Sequence, residues 1–549
     1  MTDPDRTACR STWLLSTLIG VAVVPTPARA QSPAATDSLL AGLDSRVTAL
    51  KVNTDRLVHP ARLLDDLHFG WFDRPYARAT LGVLVKTSAV LEHEARLRRS
   101  GNGAIHPRDL AQMLQWADEA IERLNAAPSA NAFRPDQFSP NGLIAPPSSS
   151  TPTLLAFLDE SSATSRDPHN GDLDLFASLG GRVYAQSSRT PGVLRGAKET
   201  ARRAAALGMA RVFIETVLPS TSNSGDASLS EEDLRLVPRT LGDLLGPASG
   251  GLRENLTSES AAVLDPPDGE SWPASQARRA LARGMLGRAR FPVVGWSARR
   301  TAHRESALRA ARASLWVDAL EGVSLAVAFG WRDLRDGSGS PYPSLSTDPA
   351  RLELLASSGL ELLQFADVVQ TLRASPTLAV VLEPNAVDPG DPNRWAPWTL
   401  TLWQKLLDSQ LHFDVFAAGA WDKNLRSPHE LVLEVGAEDL SRVDDLILSV
   451  AREAARKISA PEPPAVRSSG VVRPCDGETG GGWWVRAAKQ PDGRTALVVV
   501  NMRDQARQCF IEPAVCAAKA DDLLSGSAVD LREPLDFFPH HVRVFRCAR

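Results

Sequence analysis

The spacing of hydrophobic positions along this chain changes several times, and each change marks a different kind of structure. From 46 to 126 the apolar residues recur at helical spacing. Between Pro107 and Leu124, for example, Leu110, Met113, Leu114, Ala117, Ile121 and Leu124 fall on one face, with proline at the helix start. Residues 127–152 lose the period and fill with Pro, Ser and Asn, as a linker or long surface loop does. From 153 to about 372 short apolar runs alternate with helical stretches. Strands are expected at 154–158, 181–186, 210–216, 292–296 and 323–331, with helices near 192–207 and 306–320. The second helix aligns Leu308, Ala311, Leu315 and Ala319, and Gly322 stops it. Strands alternating with helices over this length predict parallel βα units closed into a (β/α)8-type barrel.

A second α/β pattern follows from 374 to 460. Strands at 377–382, 411–416 and 431–435 surround a helix at 398–407. Another helix at 441–458 is capped by Ser441 and carries Asp444 and Asp445 in its first turn. This predicts a small flavodoxin-like open-sheet α/β domain. After a Pro-rich linker at 460–465, residues 468–549 read as an antiparallel β-sandwich, with strands at 483–487, 495–501, 508–512 and 541–547.

The first thirty residues do not belong to this pattern. Arg6 and Arg10 precede an apolar run at 13–24, and Ala28-Arg29-Ala30 ends it with small residues, the layout of a cleaved signal peptide. The run is too short for a hydrocarbon core of about 30 Å, and no later stretch is long enough to span one. Export to the periplasm or beyond is therefore expected, with residues 31–150 as a helical segment plus linker, 151–373 as the barrel, and no membrane span.

Composition narrows the chemistry. A net charge of -4 gives no basic face for nucleic acid. Thirteen Trp against three Tyr suit either core packing or stacking on sugar rings. With Cys9 removed by cleavage, Cys475, Cys509, Cys516 and Cys547 remain in the terminal module. They allow up to two disulfides in three connectivities, or free thiols. No CxxC pair or His cluster suggests a metal, and no GxSxG, HExxH, Walker or dinucleotide motif stands in its required context, so no cofactor is expected. The glycine run at 477–482 lacks the Lys-Ser/Thr ending and following helix of a phosphate loop. The polar and aromatic cluster at 65–73 has no metal spacing and reads as structural.

Several stretches resemble the family 42 β-galactosidases and their relatives among the clan-A glycoside hydrolases. Residues 304–332 look like the last barrel helix and strand, ending in Trp331-Arg332-Asp333. Residues 377–416 look like the middle domain, which helps such enzymes trimerise. Residues 494–501, 521–526 and 540–545 resemble their C-terminal β-domain. The likeness covers roughly 150–549. It implies a carbohydrate ligand, self-association through the middle domain, and hydrolysis by two carboxylates, which retaining enzymes hold about 5 Å apart.

The chain departs from that pattern at the carboxylates. It contains no Asn-Glu pair, which the clan uses at its acid/base, and the strand most like the seventh ends in Gly295-Trp296-Ser297 without an acid. The candidate catalytic residues are Glu215, at the end of a clear strand, with Asp333 or Asp159 as its partner. The candidate substrate contacts are Trp331, Arg332, Trp296 and Asp336. The structural alternatives are a strand-end salt bridge for Glu215, loop solvation for Asp159, and an Arg332–Asp333 bridge under a core Trp331. Two functions follow: an exported glycoside hydrolase, or a non-catalytic glycan-binding descendant that kept the barrel's shape.

Overall fold

The computed structural model describes residues 42–57, 75–126, 154–159, 181–187, 210–214, 234–238, 240–246, 260–263, 270–286, 293–295, 304–323, 325–328, 345–373, 378–408, 412–421, 431–443, 445, 447, 472–475, 482–511, 516 and 518–547. Among these residues three helices come first: α1 (Leu43–Leu57), α2 (Pro75–Arg99) and α3 (Pro107–Ala126). The expected stripe on α3 is inside, with Leu110, Met113, Leu114, Ala117 and Leu124 buried and Ile121 packed at the margin.

Seven strands then form a closed, wholly parallel barrel in chain order. They are β1 (Leu154–Asp159), β2 (Gly181–Ser187), β3 (Ala210–Ile214), β4 (Leu234–Pro238), β5 (Ser260–Val263), β6 (Val293–Gly295) and β7 (Leu325–Ala328), and β7 returns to pair with β1. No sequence expectation covers β4 or β5. Between the strands lie α4 (Leu241–Leu245), α5 (Trp272–Leu286) and α6 (Arg304–Leu320). Thr240 and Asp243 close a reciprocal capping box on α4. Gly322 ends α6 as expected. Its φ of +87° lets the Val323 N–H turn back to the Asp318 carbonyl at 2.9 Å, a bend that a Cβ would strain.

Two further helices, α7 (Pro349–Gln364) and α8 (Ala366–Leu372), join the N-terminal helices to the barrel. Asp348 caps α7 by accepting from the Arg351 N–H. One hydrophobic core runs through α1–α3, α6, α7, α8 and one face of the terminal module, so the helical segment is built into the body of the molecule. Two carboxylates on α7 fasten it. Glu353 accepts from Trp116 Nε1 at 3.0 Å, from both terminal nitrogens of Arg123 at 3.0 and 3.1 Å, and from the Thr80 hydroxyl. Glu361 accepts from Arg312 at 2.7 and 3.1 Å and from Trp316 Nε1 at 3.1 Å. Glu353→Ala removes the acceptor that the Trp116 indole N–H, Arg123 and the Thr80 hydroxyl share in the seam, and should cost about 1–3 kcal/mol. Chemical denaturation of wild type and variant measures it.

The middle unit is a three-stranded parallel sheet in the order β10-β8-β9, from β8 (Leu378–Leu382), β9 (Phe413–Ala417) and β10 (Leu431–Val435). Helix α9 (Pro397–Asp408) crosses between β8 and β9, and β8 and β9 are buried throughout. The helix expected from 441 onward is present at Val443, Asp445 and Ile447, but its start differs: Ser441 lies inside a 3₁₀ turn, Ala437–Arg442, that runs into it. The turn starts earlier because Asp439 accepts from the Gly436 N–H at 3.1 Å and supplies the cap.

The terminal module has two antiparallel sheets. The strands are β11 (Val472–Pro474), β12 (Trp483–Lys489), β13 (Thr495–Asn501), β14 (Arg507–Ile511), β15 (Lys519–Asp522), β16 (Ser527–Asp530), β17 (Leu535–Phe537) and β18 (Val542–Cys547). One sheet runs β11-β14-β17 and the other β12-β13-β18-β15-β16. Trp483, Val485, Leu497, Val499, Phe537 and Phe545 fill the space between them. A single disulfide joins Cys516 and Cys547 among the described residues. Cys509 pairs in register with Pro474, while the Cys475 N–H reaches the Gln508 carbonyl, so the two thiols stand one step apart. The pleat then sends them to opposite faces, and no second disulfide forms.

Candidate functional site

In a parallel barrel, chemistry sits where the strands end and stability where they begin. At the C-terminal mouth, Asp159 is the last residue of β1 and is level with Gln186 of β2, which is level with Phe213 of β3. Of the seven expected site residues, Asp159 is the one among the described residues. Glu215 follows β3 in the sequence, Trp296 follows β6, and Trp331, Arg332, Asp333 and Asp336 follow β7; these six lie outside the described residues. Strand order still relates the elements that carry them. β7 adjoins β1, and β2 alone separates β1 from β3. The strand expected to be most like the seventh is β6, the sixth in the barrel as it closes.

The strongest electrostatic cluster lies at the other end. Arg283 stands in the last turn of α5 and Glu321 just past α6, on the segments that lead into the starts of β6 and β7. Glu321 is buried, and each of its oxygens has two partners. Oε2 meets Arg283 Nη1 at 2.7 Å and His412 Nε2 at 3.0 Å; Oε1 meets Arg486 Nη2 at 2.7 Å and Gln276 Nε2 at 3.2 Å. Arg283 also donates to Asp414 and to the carbonyls of Glu321 and Phe413. Beside this group, Arg279 pairs with Asp318 at 2.5 Å, both buried.

Burial alone would raise Glu321. The hydrogen bond from His412 and the charges of Arg486 and Arg283 outweigh it and hold the carboxyl well below its usual range. Burial pushes His412 below its ordinary 6.5, so the neutral ring donates Nε2–H to Glu321. Burial likewise raises Asp318 to about 6 against the pull of Arg279. Perturbed groups of this kind often mark active sites. Here the carboxylate is fully occupied by protein donors and sits under the barrel floor, so its chemistry is structural. Sequence reading gave Glu321 no role, because its partners come from 38, 91 and 165 residues away.

A cleft of about 130 Å³ between α9 and β12 is lined by Gln404, Leu407, Trp483, Trp484, Met502 and Arg503. Trp483 and Trp484 are only 4% and 3% exposed, so neither ring offers a face for a sugar to stack on. Among the described residues, no cluster of three or more His, Cys, Asp or Glu side chains is arranged to hold a metal, and no helix is long and apolar enough to cross a membrane.

No protein-family model matches the chain, and no curated protein matches it. Solved structures do. The chain is similar to an apo GH42 exo-carrageenase from Bacteroides ovatus, at 10% identity over 99% of both chains with a TM-score of 0.46. It is also similar to a β-galactosidase from the Antarctic haloarchaeon Halorubrum lacusprofundi, at 12% identity over 72% of this chain and 99% of that one, with a TM-score of 0.41. A GH27 β-L-arabinopyranosidase from Geobacillus stearothermophilus matches at 10% identity over 73% of this chain and 97% of that one, with a TM-score of 0.31.

Proposed function

We propose that this chain is an exported carbohydrate-active protein on a closed parallel β/α barrel, and that its reaction is glycoside hydrolysis at the barrel mouth. The observation that carries the reading is a closed parallel barrel whose first and third strands run into carboxylates: Asp159 ends β1, and Glu215 is the residue after β3. One intervening strand sets β1 and β3 about 10 Å apart, at ~4.8 Å per strand. Hydrolysis uses carboxylates roughly 5–9 Å apart. Asp333 follows β7, the strand next to β1, in the sequence. Glu215 would act as one carboxylate and Asp159 or Asp333 as the other, while Trp331, Arg332, Trp296 and Asp336 would contact the sugar. Export rests on Arg6, Arg10, the apolar run at 13–24 and Ala28-Arg29-Ala30 after it. Self-association through the middle sheet belongs to the same reading.

The test is turnover of a broad panel of aryl glycosides by wild type and Glu215→Gln. Wild-type activity that falls roughly 10²–10⁴-fold in the variant is expected for loss of a catalytic acid or base. Equal rates would remove Glu215 from the mechanism. A second reading, a non-catalytic glycan-binding protein, is favoured by the missing Asn-Glu pair and by β6 ending at Gly295 with Trp296 next. Glycan binding without turnover on the panel would select it.

A further inference from the structure

Three units meet at Glu321. The barrel floor contributes Arg283 and Gln276 from α5 and Glu321 itself; the middle sheet contributes His412 and Asp414; the terminal module contributes Arg486 from β12. Each charge depends on a partner from another unit. Arg283 is shared between Glu321 of the floor and Asp414 of the middle sheet. Arg486 reaches out of its own sheet to Glu321, with its guanidinium 4.6 Å from the Trp484 ring centre. A buried charge that loses its partner costs more than the pair contributes while intact. Separation of any one unit would therefore leave the buried charges of the others out of balance.

We propose that Glu321 is a latch through which the barrel floor, the middle sheet and the terminal β-module unfold as one body. The arrangement differs from an apolar seam, where loss of one neighbour removes area in proportion and leaves the rest intact. It is also all-or-none by charge. Arg283 and Arg486 face one carboxylate from two units, the neutral His412 ring adds a hydrogen bond from the third, and Asp414 with the Arg279–Asp318 pair completes the charged groups around it.

Calorimetry of the full chain, with hydrogen exchange followed in α5, β9 and β12, tests this. In wild type the three elements should lose protection in one transition. In Arg486→Met, which removes the terminal module's tie but leaves Glu321 with Arg283 and His412, β12 should open first. Its transition should separate from that of α5 and β9 by roughly 5 °C or more, a gap set by the usual scaling of Tm with stability. Glu321→Gln should separate all three. If Glu321→Gln fails to fold, Arg486→Met decides alone. A single shared transition in Arg486→Met, shifted or not, overturns the latch, and so do separate transitions in wild type.

Discussion

Trp316→Ala is expected to lower the stability of the whole chain by about 3–5 kcal/mol, the usual range for emptying a buried tryptophan site. Trp316 is fully buried on α6, in the core shared by the N-terminal helices, α7, α8 and one face of the terminal sheet. Its loss removes packing against several elements at once, and the site cannot collapse without moving two helices. It also removes the indole N–H that Glu361 accepts at 3.1 Å, leaving Arg312 as the remaining donor named above. Trp316→Phe separates the two effects. It keeps most of the ring volume and loses the donor, so a cost nearer 1–2 kcal/mol is expected. Urea unfolding curves of the three proteins measure both. A cost below about 1 kcal/mol for the alanine variant would mean that α6 and α7 do not share a close-packed seam.

Arg279→Met should destabilise by about 3–5 kcal/mol at pH 7.5, because it strands the buried Asp318 carboxylate without its cation. The cost should shrink in acid, and the sign follows from the direction of the shift. Burial already raises Asp318 to about 6 with Arg279 present, against 3.8 unperturbed. Removing the cation raises it further. A carboxyl raised in the folded state contributes its stability below the unfolded value and loses it as pH rises through the folded one. At pH 5 the variant's Asp318 is therefore protonated in the fold and no charge is stranded. The difference between wild type and variant should fall by up to about 2 kcal/mol between pH 7.5 and 5, at 1.36 kcal/mol per unit. A pH-independent cost would show that Arg279 contributes through packing alone.

Much of the fold was readable from local pattern, and the failures share a cause. β3, β6 and β7 fall within expected apolar runs, β1 and β2 pass the ends of theirs by one residue, and the α3 stripe turned inward as its period required. β4 (LRLVP) and β5 (SAAV) were not anticipated, since one carries Arg and Pro and the other mostly small residues. Their pairing comes from neighbours far along the chain, which no window of sequence contains. β15 and β16, with sequences KADD and SAVD, are polar strands at one edge of a sheet and carry no apolar signal of their own. Ser441 looked like a cap because a serine before acidic residues usually is one; Asp439 competed for the role from two positions earlier. The candidate site is the converse case. Carboxylates at strand ends are legible because barrel chemistry has a fixed address. The Glu321 cluster has no such address, and only the assembled floor brings its members together.

The order of the five-stranded terminal sheet also bears on how the protein is made. β18, the strand furthest along the chain, lies between β13 and β15 and not at an edge. A ribosome must therefore release the chain through Cys547 before the middle of that sheet exists. Until then β13 and β15 present open backbone edges, and the Cys516 thiol waits for a partner that has yet to be synthesised. A message cut short before Val542 would yield a barrel and middle sheet joined to two sticky half-sheets, a species that quality control meets as an aggregation hazard.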